Sequence, residues 1–502
     1  MAESLSKRSG KAVLWSSITQ IMAKLISPIV NIVLARLLAP EAFGAVATIT
    51  MIISFAEIFT DAGFQKYIVQ HEFSSKEELD ASTNVAFWTN LCFSVVLVAL
   101  IVIFRDPIAS FVGSPELGFG IAVASIAIIL VAFSSIQTAR FRRDLKFKPL
   151  FFVHIGTSIL PLIVTVPLAI ALKSFWALVI GNLSVNLCSA ILLTIFSGWK
   201  PKFFYSFKLF KDMFAFSMWT LFESILIWLT SNVDILVVGT LLSQYYLGIY
   251  KTAMTTVNSY MSIVTASIIP VLFATLSRCQ NDEREFKNTY FKFQKYLAIL
   301  IIPMSIGLLL YRNLVTELLL GSQWVEATDF VGLWGLMSGV AILFATMSSE
   351  VYRSKGNPKM SMFAQIAHLI FLIPGVIISA GYGYRVLFIA RSLLRIQFIL
   401  THLIIICVVY KFSFKKMITN IFPILISTAV MAAVSVLIQS INAELWWQII
   451  CVLICVIVYF VALVALFPKT RREIMEIGFV NKILLKIGIG INKIDKKVEN
   501  DD

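Results

Sequence analysis

Apolar residues run through this chain in blocks of about twenty, separated by short polar breaks. A helix of that length spans a hydrocarbon core about 30 Å thick. The blocks fall at 12–35, 43–65, 81–104, 117–138, 150–171, 174–198, 213–238, 246–277, 293–311, 328–350, 359–380, 385–410, 417–439 and 445–467. The pattern predicts an all-α polytopic membrane protein with about fourteen transmembrane helices. It excludes an outer-membrane barrel, whose strands run about ten residues and alternate polar with apolar positions. The 246–277 block is longer than a bilayer requires, which predicts tilt or projection into water.

Sliding the sequence on itself by 204 residues sets Trp15 on Trp219, Ser27 on Ser231, Leu37 and Leu38 on Leu241 and Leu242, Gly44 on Gly248 and Thr48 on Thr252. These matches align the first two blocks with the seventh and eighth. Six spans per unit is an even number, so the repeats are parallel, related by an axis along the membrane normal. The expected organisation is a six-helix lobe at 1–198, a second at 199–411, two extra helices at 412–467 and a basic tail at 468–502. The tail is amphipathic, with Ile474, Ile477, Ile483, Leu484 and Ile487. It reads equally as a segment on the inner leaflet or as a solvated end.

Charge gives the orientation. With the amino terminus inside, 33 of the 42 Lys and Arg residues fall on inner segments, five on outer loops and four within blocks. That bias places both termini in the cytoplasm and the protein in the cell (inner) membrane. The composition agrees: 502 residues, 59% hydrophobic and only 14% charged. The net charge of +14 does not signal nucleic acid, because the cations cluster between apolar blocks. Six cysteines contain no CxxC pair, and Cys451 and Cys455 share one helix face as small core residues would. There is no phosphate loop, no HExxH and no GxSxG elbow, and the four histidines are scattered. No soluble domain interrupts the helices. Transport is therefore the leading class, with no enzyme activity, no metal and no cofactor expected; H⁺ and Na⁺ are the candidate coupling ions.

The stretch from Leu34 to Gln70 reads LARLLAPEAFGAVATITMIISFAEIFTDAGFQKYIVQ. It resembles the first hairpin of the polysaccharide exporter family, the Wzx-type flippases, in Leu34, Ala35, Arg36, Leu37, Leu38, Pro40, Phe43 and Gly44, then Phe59, Asp61 and Gly63. The run ARFRRDLKFK from Ala139 to Lys148 is similar to that family's basic loop after the fourth span. The family belongs to a superfamily that includes multidrug and toxin extruders and the lipid II flippase. The resemblance implies a flippase that moves an undecaprenyl-pyrophosphate-linked oligosaccharide unit across the membrane for O-antigen, capsule or exopolysaccharide synthesis. Its implied partners are the lipid-linked oligosaccharide, the bilayer and other polysaccharide-assembly proteins. A drug extruder of the same fold and a membrane enzyme of glycan assembly are the alternatives.

Charges inside spans are rare, costly and commonly functional. Lys24 lies about 18 Å into the first block, and Glu57 stands at similar depth in the second. Together they form either a structural or a titrating pair. Asp234 and Lys251 stand at matching depth near the outer face, which predicts a second pair. Arg391 and Arg395, spaced i,i+4, share a stripe about 9 and 15 Å from the outer end. No acid lies at matching depth in their own hairpin, so a diphosphate suits them. Glu223, in the seventh block, is the rival partner and a candidate coupling carboxylate. Lys24 and Lys251 are the further candidates for binding substrate. Asp61, Arg140, Arg142, Arg143, Glu350 and Arg353 sit at the cytoplasmic surface, as gate, headgroup-admitting or ordinary topology charges. The polar in-span residues Gln20, Asn31, Gln137, Asn182, Asn186, Gln365 and Gln397 line a cavity or tie helices together.

Overall fold

The computed structural model describes residue 22 and residues 26–61, 64–442, 444–468 and 470–471. Every regular element among them is helical. Thirteen helices in this set are long and apolar enough to cross a membrane. A shorter apolar helix, α1 (Ile26–Leu37), occupies the place of the first predicted span. It is followed by α2 (Pro40–Asp61), α3 (Lys76–Ile103), α4 (Pro115–Arg143), α5 (Phe147–Leu172) and α6 (Phe175–Phe196). Next come α7 (Phe207–Leu241), α8 (Gln244–Arg278), α9 (Glu283–Leu310) and α10 (Ser322–Ser354). The chain then forms α11 (Lys359–Ala380), α12 (Tyr384–Val408), α13 (Phe414–Gln439) and α14 (Leu445–Leu466).

Local chemistry sets the helix starts. The side chains of Ser75, Ser206, Ser243, Asp282 and Ser413 each accept a backbone N–H in the first turn of α3, α7, α8, α9 and α13. These caps satisfy donors that a helix leaves open at its amino end. Pro161 removes a ladder bond in α5, which breaks at Val164. Within α10, a π-helical turn at Ile342–Thr346 interrupts the α ladder.

Side-chain packing separates two faces on each outer helix. On α14, Cys451, Cys455 and Tyr459 are buried, whereas Leu453, Ile457 and Val461 are exposed one turn apart on the opposite face. An exposed apolar stripe of this kind fits hydrocarbon and not water. The largest core cluster runs from Val233 to Leu463 and is joined by Ala35, Ala47, Met51 and Val112. It takes in Met417, Ile421 and Ile424 of α13 and Cys451 and Cys455 of α14. α13 thus packs on α9 and α14 packs on α13, with Tyr459 of α14 donating to the Ile299 carbonyl of α9 at 2.8 Å, so both helices are part of the carboxy-terminal core. Four smaller clusters draw on residues 30–213.

The amino-terminal and carboxy-terminal helices meet most extensively where α2 crosses α8. A Cβ on Gly44 would stand 1.9 Å from the Gln244 carbonyl oxygen, and one on Gly248 would stand 1.8 Å from the Pro40 carbonyl oxygen. The contact is reciprocal, and both partners are related by the 204-residue offset seen in the sequence. Only glycine permits backbones to approach this closely. Around this crossing, Gln323 donates to the carbonyls of Ala35 and Leu38 at 2.5 and 3.0 Å, and Trp324 Nε1 donates to Ala35 at 2.8 Å. These bonds cap the carboxy end of α1 with side chains from the start of α10.

Candidate functional site

A cavity of 320 Å³ lies between α1, α2 and α8. Asn31 and Thr50 face it from one side, and Lys251, Thr255 and Ser259 from the other. Lys251 has no acid within ion-pair distance among the described residues, so its ammonium is available to the cavity. Here the sequence expectation needs correcting. Asp234 does not hold Lys251. Its Oδ2 accepts from Tyr250 Oη at 2.8 Å and from Arg391 Nε at 3.0 Å. Tyr250 and Lys251 are consecutive on α8, and neighbours on a helix face different ways. Tyr250 points into the carboxy-terminal core and carries the carboxylate contact, which leaves Lys251 directed at α2.

The Arg391–Asp234 pair is almost wholly buried, at 7% and 1% side-chain exposure. Arg391 is therefore a neutralised cation. Its partner sits at matching depth on α7, which packs beside α11 and so lies outside the hairpin that holds Arg391. Arg395, one turn further along α12, behaves differently. Its guanidinium lies 3.5 Å from the ring centroid of Trp334 and donates to Ser338 Oγ. No acid pairs with it among the described residues. Arg395 opens on a second cavity, of 290 Å³, which it shares with Asn258, Ser262, Gln365 and His368. Both arginines of the stripe line this cavity, and they divide by partner: Arg391 is neutralised by Asp234, and Arg395 presents a charge that no described acid meets. The two cavities lie on opposite faces of α8.

A third cavity, of 160 Å³, lies among the amino-terminal helices. Thr50, Ser54 and Glu57 of α2 and Asn182 of α6 line it. The Glu57 carboxylate has no partner among the described residues. Lys24, its expected mate, and Gln20 lie outside the described residues, as do the side chains of Asp61 and Glu223. Asn182 follows the start of α6 by seven residues, as Arg391 follows the start of α12. Asn186 of α6 donates to Asn182 at 3.0 Å, in the position where α12 carries Arg395.

The surface cations are mostly engaged. Arg140 pairs with Asp80 at 2.5 Å and lies over Trp199. Arg143 donates to the carbonyls of Ile68 and His71 at 2.7 and 2.6 Å. Both fasten α4 to neighbouring segments, and Arg142 alone of the three is exposed and without an ion pair among the described residues. Arg353 pairs with the buried Glu350 at 3.1 Å. Of the in-span amides, Gln137 bonds Thr194 at 3.0 Å, a helix tie. Gln397 Oε1 accepts from His368 Nδ1 at 2.9 Å. Sequence reasoning missed Tyr250, Trp334 and Ser338. A tyrosine beside a lysine and a tryptophan one turn before a serine carry no distinctive pattern until α7, α10 and α12 are brought together.

This is a many-helix membrane protein whose helix junctions hold cavities lined by both apolar and polar side chains. This chain belongs to the polysaccharide biosynthesis protein family, whose sequence profile matches residues 33–329, more than half of its length. It is 22% identical over 420 residues to an uncharacterized membrane protein in the cps region of Klebsiella pneumoniae, covering 81% of this chain and 85% of that one. It is 21% identical over 427 residues to the lipopolysaccharide biosynthesis protein WzxC of Escherichia coli strain K12, covering 83% and 85%. Among solved structures, its fold is similar to the inward closed conformation of the lipid II flippase MurJ, with a TM-score of 0.76, 17% identity and coverage of 91% and 99%. The expected all-helical membrane fold and the family resemblance are both borne out.

Proposed function

We propose that this protein carries an undecaprenyl-pyrophosphate-linked oligosaccharide unit across the cytoplasmic membrane for O-antigen, capsule or exopolysaccharide synthesis. The observation that carries this reading is the cavity between α1, α2 and α8, with the unpaired Lys251 on its wall. A diphosphate and a hydrated sugar cannot cross hydrocarbon alone, so they need a polar chamber with cations inside the membrane. Tyr260 borders this chamber and also a 220 Å³ apolar cavity lined by Pro303, Leu308, Val452 and Val456. A head in the first with a prenyl chain starting along the second fits an amphipathic passenger. Arg395 supplies a second anion-facing position. Rocking of two six-helix lobes about the Gly44–Gly248 crossing would expose the chamber to one side and then the other. A drug extruder handling small cations would not gain from Lys251 and Arg395 facing these spaces.

The test is a strain lacking this protein, examined for lipid-linked units. Complete units should accumulate on the cytoplasmic side. Complementation with Lys251→Ala should leave membrane abundance unchanged and export reduced, with Lys251→Arg restoring part of it, because the side chain has no structural partner to lose. Full export by Lys251→Ala would remove the cavity from the mechanism.

We further propose cytoplasmic termini, on the 33-to-5 distribution of basic residues. Ser440 and Lys415 are both exposed, on opposite ends of α13. Ser440→Cys should react with an impermeant maleimide on intact cells, and Lys415→Cys only after lysis. The reverse pattern would invert the topology. Ser114, although in an outer loop by sequence, is buried against Gln244 and is no labelling site.

A further inference from the structure

The cavity beneath Arg395 contains a base and an acceptor that both lack a proton donor. His368 Nδ1 lies 2.9 Å from Gln397 Oε1. The amide nitrogen of Gln397 is committed to Thr401 Oγ1, to which it donates at 2.9 Å. Its oxygen therefore faces His368 as an acceptor, and Nδ1 must carry the imidazole proton. In a neutral ring that leaves Nε2 as a lone-pair base. Nε2 makes no hydrogen bond among the described residues, and His368 lines the cavity. Three residues earlier on α11, and so on the same helix face, stands Gln365. Its Oε1 is buried and has no hydrogen-bond partner among the described residues. A proton on Nε2 would supply a donor where the chamber has an unmet acceptor.

Burial comes first in deciding whether that proton can stay, and neighbouring charge adds to it. Among the described residues, the ionisable groups acting on His368 are Arg391, Arg395 and Asp234; His402 lies further along α12. The side chains of α8 and α10 around the cavity are uncharged there, among them Asn258, Ser262 and Ser338. Asp234 is already spent on Arg391 and Tyr250. Among the described residues Arg395 is thus the cation left uncompensated beside the ring, and two neighbouring positive charges in a dry space repel. An anion lodged against Arg395 cancels that repulsion.

We infer that His368 is a proton-binding site that charges when an anionic group enters the Arg395 cavity, so that anion binding draws in a proton from water. The inference rests on the reading of this cavity as an anion site. The site is self-contained: Nε2 takes the proton, Gln365 Oε1 accepts it in a hydrogen bond, and Gln397 holds the ring in place through Nδ1. A proton taken up with the anion offsets part of the passenger's charge inside the membrane. The reciprocal effect follows from linkage: lowering the pH tightens anion binding through the same ring.

The experiment uses the full chain in nanodiscs, labelled with ¹⁵N-histidine, and inorganic pyrophosphate as probe. His368→Gln identifies the His368 signals by their loss. Without pyrophosphate near neutral pH, Nε2 should give the unprotonated resonance and Nδ1 the protonated one. Saturating pyrophosphate should move Nε2 to the protonated position, and calorimetry in buffers of differing ionisation enthalpy should show uptake of about one proton more than in His368→Gln. Gln365→Leu, which removes the acceptor and leaves the base, should bind pyrophosphate with reduced proton uptake. If pyrophosphate binds and requires Arg395 but Nε2 stays unprotonated, the proton site is overturned and the anion site stands. If Arg395→Ala binds pyrophosphate as wild type does, or neither binds it, the anion reading fails and takes this inference with it. A ring protonated on Nε2 before any anion is added would also overturn it.

Discussion

Arg391→Ala is expected to remove most of the protein from the membrane, whereas Arg395→Ala should leave its abundance nearly intact and abolish export. The two residues are one helical turn apart and chemically identical, so only their surroundings separate them. Truncating Arg391 strands the Asp234 carboxylate, which is 1% exposed, without a cation; its remaining donors are the Tyr250 hydroxyl and the Ile235 backbone N–H. Breaking a buried pair from one side costs about 3–5 kcal/mol. That loss is enough to change steady-state abundance severalfold. Asp234→Asn should be nearly as damaging, because it strands the guanidinium. The double change Asp234→Asn with Arg391→Gln removes both charges and should recover abundance. Arg395 loses only its contact with Trp334 and its bond to Ser338. A cation–π contact of this kind is worth about 0.5–2 kcal/mol, within what a stable fold tolerates. Immunoblotting of membranes beside a surface polysaccharide assay reads both quantities from one culture. Equal abundance of the Arg391→Ala and Arg395→Ala proteins would refute the division of roles.

That division marks where the sequence stopped being informative. Helices were legible because each apolar block must be about as long as the bilayer is thick, and from the second block onward every predicted span contains a helix. Boundaries drifted where capping and water-exposed turns extended a helix past its apolar run, as in α9, which begins at Asp282's cap and not at residue 293. Depth was legible too: Asp234, Lys251 and Arg391 stand at the same level. Azimuth was not. The expected Asp234–Lys251 pair used depth within one hairpin, but helix neighbours one residue apart face different partners, so Tyr250 took the carboxylate. Finding the Arg391–Asp234 pair required knowing that α7 packs beside α11, a fact held in the tertiary arrangement. The absence of an acid in the Arg391 hairpin was a correct observation about the wrong set of neighbours.

The repeat, weak in sequence, yields the second large effect. Gly44 and Gly248 were two of a handful of identities at the 204-residue offset, and they are the residues at which α2 and α8 touch. Under the proposed topology this crossing lies at the outer end of the bundle, and we propose that it closes the α1–α2–α8 cavity on that side. Gly44→Val or Gly248→Val puts branched carbon into a space that lacks room for a Cβ, and the obstacle is a backbone carbonyl, which cannot rotate aside. The helices must separate by at least the thickness of a methyl group. Each half keeps its own core, so the protein should still reach the membrane. Export should fall on the order of tenfold or more, since a shift of about 1.4 kcal/mol between closed and open states changes their ratio tenfold. The structural readout is access. Thr255 is exposed on the cavity wall. Thr255→Cys should resist an impermeant reagent on intact cells when Gly248 is present and react when it is replaced by Val. Unchanged labelling together with normal export would mean that the crossing is packing alone and that the outer closure is made elsewhere.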